Sequence, residues 1–143
     1  MNEIQATDEM LTLFREAWES GAPAFNNGQV PLVEWPGVDP LEFPPKDSPW
    51  ARVNVQHGTR EQSTLGGIGN RAFEARGILV IQIFTPRDLL QAQQLAIIAR
   101  NAFEGVSSPG DIWFRNVRMN EVGTDASWSQ INVVAEFEYH ELK

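Results

Sequence analysis

The segment Trp128–Tyr139 alternates apolar and polar residues, and this pattern restricts the fold more than any other feature of the chain. A period of two is typical of a β-strand that has one buried and one solvated face. The sequence therefore predicts a strand that is central to the domain. Its two sets of alternate positions are Ile131, Val133, Ala135, Phe137 and Tyr139, and Gln130, Asn132, Val134, Glu136 and Glu138.

The remaining patterns predict two helices and four further strands. The first helix is expected from Asp8 to Ser20 with Thr7 as its N-cap, and the second from the Thr85-Pro86 start to about Phe103. The proline-rich segment 38–49 is expected to be an ordered connector, since proline excludes it from helices and central strands. Strands are predicted at Gln29–Trp35, Trp50–His57, Arg71–Phe84 and Ile112–Val122.

This order, α-β-β-β-α-β-β, predicts an α+β fold in one domain over residues 1–143. The sheet is expected to be mostly antiparallel, with four to five strands and two helices packed on it. Apolar residues on both faces of Ile78–Phe84 predict that this half-strand is covered by a helix on one side and by another surface on the other.

Composition excludes several classes of protein. The chain has no cysteine, which excludes disulfides and thiolate metal sites. No apolar run approaches the roughly 20 residues that span a bilayer, and the N-terminus lacks a secretory pattern, so we expect synthesis in a cytosol and no membrane contact. The net charge of −8 argues against binding to a nucleic-acid backbone. Residues 1–50 are strongly acidic and residues 51–105 mildly basic, a contrast that suits either solubility or self-association.

The residues that carry chemistry do not form a catalytic or cofactor motif. The two histidines, His57 and His140, lack the spacing of a zinc site and follow no nucleophile motif. Gly66–Gly69 is followed by a predicted strand rather than a helix, which excludes a phosphate-binding loop. Glu136 and Glu138 could together hold a cation, although a solvated strand face produces the same pattern. We therefore predict no enzyme, no cofactor and no metal.

Two segments have features of contact surfaces. The connection Gly58–Asn70 is too long for an ordinary hairpin loop and rich in glycine, so we expect it to be mobile and functional. In the second helix, Leu90 and Ile97 lie one heptad apart on an otherwise polar face. Scattered apolar surface residues are common, but this alignment favours a contact between subunits.

Four segments together resemble the tail terminator (tail completion) proteins of long-tailed bacteriophages. They occur in the expected order over most of residues 50–143, and the first helix matches in kind. The segment Asn26–Pro49 is longer and richer in proline than in that family. The four segments are Trp50–Val55, Gly67 with Gly69–Arg71, Gly77–Pro86, and Trp128–Val134 with Phe137–Tyr139.

The resemblance implies a structural virion protein of the tail and neck, assembled in the host cytoplasm. In that family six subunits form a ring on the head-proximal end of the tail tube, stop its growth and provide a docking surface for the neck. The implied partners are other copies, the tube protein and a neck or head-completion protein, and DNA passes through without specific binding. The alternatives are a head-completion or other neck ring protein, or a cytosolic α+β ligand-binding domain or enzyme.

Three sets of residues are the candidates for these contacts. One set is expected to touch the tube or a neighbouring subunit and the second to join subunits. The third is a candidate lining for a net negative lumen, with the acids of residues 1–50 as the alternative. The residues expected to touch the tube or a neighbour are Arg60, Glu61, Leu65, Ile68 and Arg71. Those expected to join subunits are Leu90 and Ile97. Those considered for the lumen are Glu136, Glu138 and Glu141.

Overall fold

A computed structural model describes residues 1–38, 45–86, 88–124 and 127–143. Two helices and five strands form one α+β unit in the predicted order, with a short 3-10 helix, Ala22–Phe25, after the first helix. The proline-rich connector predicted at 38–49 lies partly outside the described residues. The elements are α1 (Glu3–Gly21), β1 (Leu32–Glu34), β2 (Trp50–Gln62), β3 (Ala72–Pro86), α2 (Leu89–Asn101), β4 (Trp113–Thr124) and β5 (Trp128–Leu142).

The strands form a single sheet in the order β1-β2-β3-β5-β4, in which β1 runs parallel to β2 and all other pairs are antiparallel. The alternating segment that begins at Trp128 is β5, an interior strand paired on both sides, which confirms its prediction. β3 and β5 pair along their whole lengths, from Ala72 with Leu142 to Pro86 with Trp128.

Both helices pack in one layer on one face of the sheet. α1 buries a single line of residues three to four positions apart, and α2 buries a second line against β3 and β5. The indole Nε1 of Trp18 donates a hydrogen bond to the Pro31 carbonyl at 3.0 Å, which ties the following connector to α1. The helix residues of this core include Ala6, Met10, Phe14, Trp18, Ala92, Leu95, Ala96 and Ala99.

No second layer of described residues covers the other face of the sheet, here called the open face. Ile78, Val80 and Phe84 point to this side and are half-buried, whereas Leu79, Ile81 and Ile83 are buried beneath the helices. The predicted cover of Ile78–Phe84 is thus confirmed on the helix side, and a cover on the open face stays a prediction.

Both helices begin at residues other than those predicted. Asn2, not Thr7, caps α1: its side chain accepts a hydrogen bond from the Gln5 amide at 2.9 Å, and the Gln5 side chain accepts from the Asn2 amide at 2.9 Å. This reciprocal capping box adds a turn before Asp8. Asp88, not Thr85, caps α2, because β3 continues to pair with β5 as far as Pro86.

The loop between β2 and β3 is shorter than predicted. Pairing continues past an irregularity between His57 and Arg60, so the connection is 63–71 rather than 58–70. Ser63 donates its amide to the Ala72 carbonyl at 2.8 Å, and the Ala72 amide donates to the Thr64 hydroxyl at 2.9 Å. The base of the hairpin is therefore fixed. None of the helices among the described residues is long and apolar enough to cross a membrane.

Among the glycines within the strands, Gly77 leaves the least room for a side chain. A Cβ atom at this position would lie 2.2 Å from the Gln56 carbonyl oxygen and 2.5 Å from Cζ of Phe137. We expect Gly77→Ala to lower the free energy of unfolding by about 1–3 kcal/mol, since backbone and ring must move apart. Urea denaturation measures this change. Gly67→Ala, whose Cβ would meet no described atom within 4 Å, is the control, and equal midpoints for the two variants would contradict the prediction.

Candidate assembly surfaces

The outer side of α2 has two exposed aliphatic side chains among polar, uncharged ones, and Arg100 lies beside its C-terminal end. Ala92, Leu95, Ala96 and Ala99 face the core, which leaves Leu90 62% exposed and Ile97 40% exposed in line on the opposite side. From Leu89 to Ala99 the helix has no charged residue. Depletion of charge is characteristic of the centres of protein interfaces. We call Leu90, Gln94, Ile97 and Asn101 the α2 stripe.

The tip of the β2–β3 hairpin carries the two most exposed aliphatic side chains of the described chain. Leu65 is 97% exposed and Ile68 is 90% exposed, and residues 64–70, here called the loop tip, have no charge. Gly69 has a φ of +92°, a conformation that glycine adopts without strain. Two large apolar side chains on a charge-free loop are typical of a contact surface.

The other residues predicted for this contact do not lie at the tip. Arg60 is in β2, where its guanidinium pairs with Glu3 at 2.8 Å and with Glu141. Arg71 exchanges two backbone hydrogen bonds with Lys143, of 3.1 and 2.8 Å. Glu61 is exposed in β2. The structure therefore brings together Leu65 and Ile68 but separates them from Arg60, which has partners within its own subunit.

The Arg60 ion pairs fasten the start of α1 to the hairpin and to β5. A backbone hydrogen bond and, to a smaller extent, the charge of Arg60 lower the pKa of Glu3. Burial works to lower the pKa of Arg60, but the hydrogen bond to Glu141 and the two carboxylate charges raise it. Exposed pairs contribute little individually, and this one matters as a three-way link between distant segments.

Beside this network, Tyr139 and His57 lie in an apolar setting. Burial raises the pKa of Tyr139 to about 12, and its hydroxyl has no hydrogen-bond partner among the described residues. The His57 ring packs edge-on against Phe137 and Tyr139, with centroid distances of 5.2 and 5.8 Å. Burial lowers the pKa of His57.

The three carboxylates proposed for the lumen do not form one surface. Glu136 and Glu138 lie on the open face, whereas Glu141 lies on the helix side beside Arg60. Each is neutralised within the subunit: Arg118 pairs with Glu136 at 3.3 Å, Arg115 pairs with Glu138, and Arg60 and Lys143 pair with Glu141. The register of β5 with β3 and β4 places these bases there.

Three acids without an ion-pair partner in the described part of the chain lie together on the outer face of α1. Asp8, Glu16 and Glu19 are exposed and form no ion pair with any described residue. Arg15 is the only base within α1. The contrast between an acidic N-terminal part and a basic middle part does not survive folding, because Arg52, Arg60 and Arg76 are paired with acids.

Strand register also assembles a cluster that the sequence analysis did not find. Ligand atoms of Glu74, Glu138 and His140 lie within 4.8 Å of one another. The carboxylates are shared with Arg76 and Arg115, and hydrogen bonds with Glu138 and then Arg76 lower the pKa of Glu74. The guanidinium groups of Arg76 and Arg115 thus occupy the positions next to these carboxylates that a metal cation would otherwise take. The sequence analysis would have predicted this cluster only if it had paired Glu74 with His140 on neighbouring antiparallel strands.

The open face ends in an aromatic groove that the sequence analysis also missed. Trp50 stacks on Phe84 with centroids 4.3 Å apart, and the Arg52 guanidinium lies 5.3 Å from the Trp50 ring centroid. Next to them is an open groove of about 450 Å³ lined in part by Phe84, Val122 and Trp128. These side chains lie together because the first residues of β2 and β5 and the last residues of β3 and β4 meet at this edge of the sheet.

The packing of the solvent-exposed His57 ring against Phe137 and Tyr139 predicts a pH dependence of stability. Its pKa is below the ordinary value of about 6.5 in the folded protein, so the unfolded chain binds more protons in that range. The free energy of unfolding should therefore fall as the pH decreases through the region just below 6.5. In His57→Gln this part of the pH dependence should disappear, whereas the control His140→Gln should keep it. Urea denaturation at several pH values measures both slopes, and equal slopes in wild type and His57→Gln would contradict the assignment.

Comparison with known proteins identifies the fold. No family model matches the chain, and no curated protein matches it. A chain of the virion of a native gene transfer agent (GTA) particle superposes with a TM-score of 0.56 and 16% identity over 94% of each chain. A second solved protein, whose name states no function, gives a TM-score of 0.55 and 17% identity over 90% of this chain and 94% of its own. The protein thus shares its fold with a GTA virion component.

Proposed function

We propose that this protein is a structural component of a phage-like particle that caps the head-proximal end of the tail tube. A ring of copies, six in the tail terminator family, would stop tube growth and present a docking surface to the neck. The observation that carries the proposal is the shared fold with a chain of the GTA virion over 94% of both chains. The resembling segments within residues 50–143 support the tail end as its position. Assembly would take place in the host cytoplasm, and the finished protein would reside in the virion tail and neck.

A neck or head-completion ring is the second candidate, because the name of the GTA structure covers a whole particle and not one position in it. An enzyme has less support. Among the described residues, His57 packs on aromatic rings and His140 faces Glu138 at 3.7 Å, and neither lies in a catalytic constellation.

Tube polymerisation in vitro tests the position. Purified tail tube protein should grow to a narrower and shorter length distribution when this protein is present, with a ring at one end in electron micrographs. Gold-labelled protein on intact particles should lie between tube and neck. Label on the head side of the neck, together with unaltered tube growth, would exclude the terminator role and favour the neck ring.

If subunits contact each other through the α2 stripe, charged residues placed in the stripe should prevent assembly. Replacing Leu90 and Ile97 with Glu should leave the fold intact, since both side chains are exposed, and should abolish the ring, because two charges would have to be buried. Native mass spectrometry and electron microscopy of tube ends measure assembly, and circular dichroism verifies folding.

The matched control is the pair Ile4→Glu and Val30→Glu, which adds the same charge at aliphatic positions that are also exposed. This control should assemble like the wild type. Intact rings formed by the folded α2 double variant, either in solution or on tubes, would refute the contact.

The channel of a tail ring has to pass DNA without holding it. We propose that its lining is net negative and that Asp8, Glu16 and Glu19 on α1 supply the charge. This choice uses the acids of residues 1–50 in preference to Glu136, Glu138 and Glu141, because the latter are each paired with bases. Phosphates are repelled by unpaired carboxylates, whereas a basic lining would bind them in a salt-dependent way.

The protein should therefore show no binding to duplex DNA in a mobility-shift assay at physiological salt. The variant Glu136→Gln with Glu138→Gln should bind weakly and in a salt-sensitive way, because it releases Arg115 and Arg118 from their partners. A control variant, Gln130→Glu with Asn132→Glu, should remain unable to bind. Tight, salt-sensitive binding by the wild type would contradict a channel role.

A further inference from the structure

The two charge-free apolar surfaces lie at opposite ends of the subunit. The loop tip precedes the first residue of β3, Ala72, and the α2 stripe begins just after the last, Pro86. Fifteen residues of strand separate them, which corresponds to about 45 Å at 3.2–3.4 Å per residue. The loop tip therefore cannot cover the first part of the stripe within one chain, and each surface is left for another molecule.

We propose that the loop tip of one copy packs on the α2 stripe of the next copy, so that a single repeated contact builds the ring. This inference rests on the proposed ring function. A closed ring needs two different patches on each subunit that fit each other. These two patches meet that requirement at opposite ends of one rigid strand, in a head-to-tail arrangement.

The chemistry of the two surfaces matches. Leu65 and Ile68 on one side, and Leu90 and Ile97 on the other, are exposed in the single subunit, and neither surface contains a charge that burial would desolvate. The loop tip includes Gly66, Gly67 and Gly69, so at these three positions its backbone can approach a helix closely. The amides of Gln94 and Asn101 can then hydrogen-bond to that backbone.

The hairpin is also held in place for such a contact. Ser63 and Thr64 bind Ala72 at its base, and Arg71 pairs with Lys143. Arg60 links the hairpin to Glu3 and Glu141. A fixed base reduces the conformational entropy that the loop tip would lose on binding.

Disulfide trapping tests the contact directly, because the chain contains no native cysteine. The variants Ile68→Cys and Leu90→Cys are expressed separately, one with a mass tag, and are then mixed, assembled on tail tubes and mildly oxidised. We expect the mixed tip-to-stripe disulfide to dominate by at least about tenfold over either homodimer, a ratio that corresponds to about 1.4 kcal/mol. A chain with both cysteines should give a ladder that ends at the ring size.

Pairing of Ile68→Cys with an exposed control, Glu19→Cys on α1, should give no dominant product. Homodimers of Leu90→Cys would show an isologous stripe contact, and rings without any tip-to-stripe disulfide would show that the tip binds elsewhere, for example on the tube. Either result overturns this inference and leaves the proposed function standing. Failure of the wild type to form a ring on tubes would overturn both.

Discussion

The uninterrupted pairing of β3 with β5 is the interaction on which the rest of the structure depends. It runs from Ala72–Leu142 to Pro86–Trp128 and determines the face on which every side chain of both strands lies. A shift of one strand by one residue would expose Ile81 or Val133 and bury the polar Gln82 or Asn132 instead, so the hydrophobic core specifies the register. Gly77 pairs with Phe137 in this ladder and with His57 in β2, and both neighbouring strands approach it closely.

This pairing also separates the surfaces available for assembly. β3 extends past the end of β4 toward the hairpin tip, and its other end leads directly into α2, so the loop tip and the α2 stripe occupy opposite ends. Neither surface contributes to the core of its own subunit. Residues that fold the subunit and residues proposed to join subunits are therefore distinct, which allows variants that affect assembly without unfolding the chain.

The sequence was sufficient for the class of fold and its element order, because period-two and helical apolar patterns are local signals. Leu90 and Ile97 were found by the same kind of signal, since their exposure follows from helix geometry alone. The end of the hairpin at Gln62, the start of α2 at Asp88 and the partners of Glu138 could not be found in this way. They depend on how far strands pair and in which register, and tertiary packing decides both.

The strand register determines which charged side chains are paired within the subunit and which are left unpaired on its surface. In the linear sequence the chain has an acidic first part and a basic middle, but the sheet places Arg52, Arg60, Arg76, Arg115 and Arg118 against acids from other segments. Glu136 and Glu138 on the open face are thereby paired with bases, whereas Asp8, Glu16 and Glu19 on α1 stay unpaired among the described residues. In a ring joined end to end along β3, the helix layer and the open face remain as its two other sides. Of these, the α1 side presents the three unpaired acids Asp8, Glu16 and Glu19, and the proposed DNA-facing lining is assigned to it on that ground.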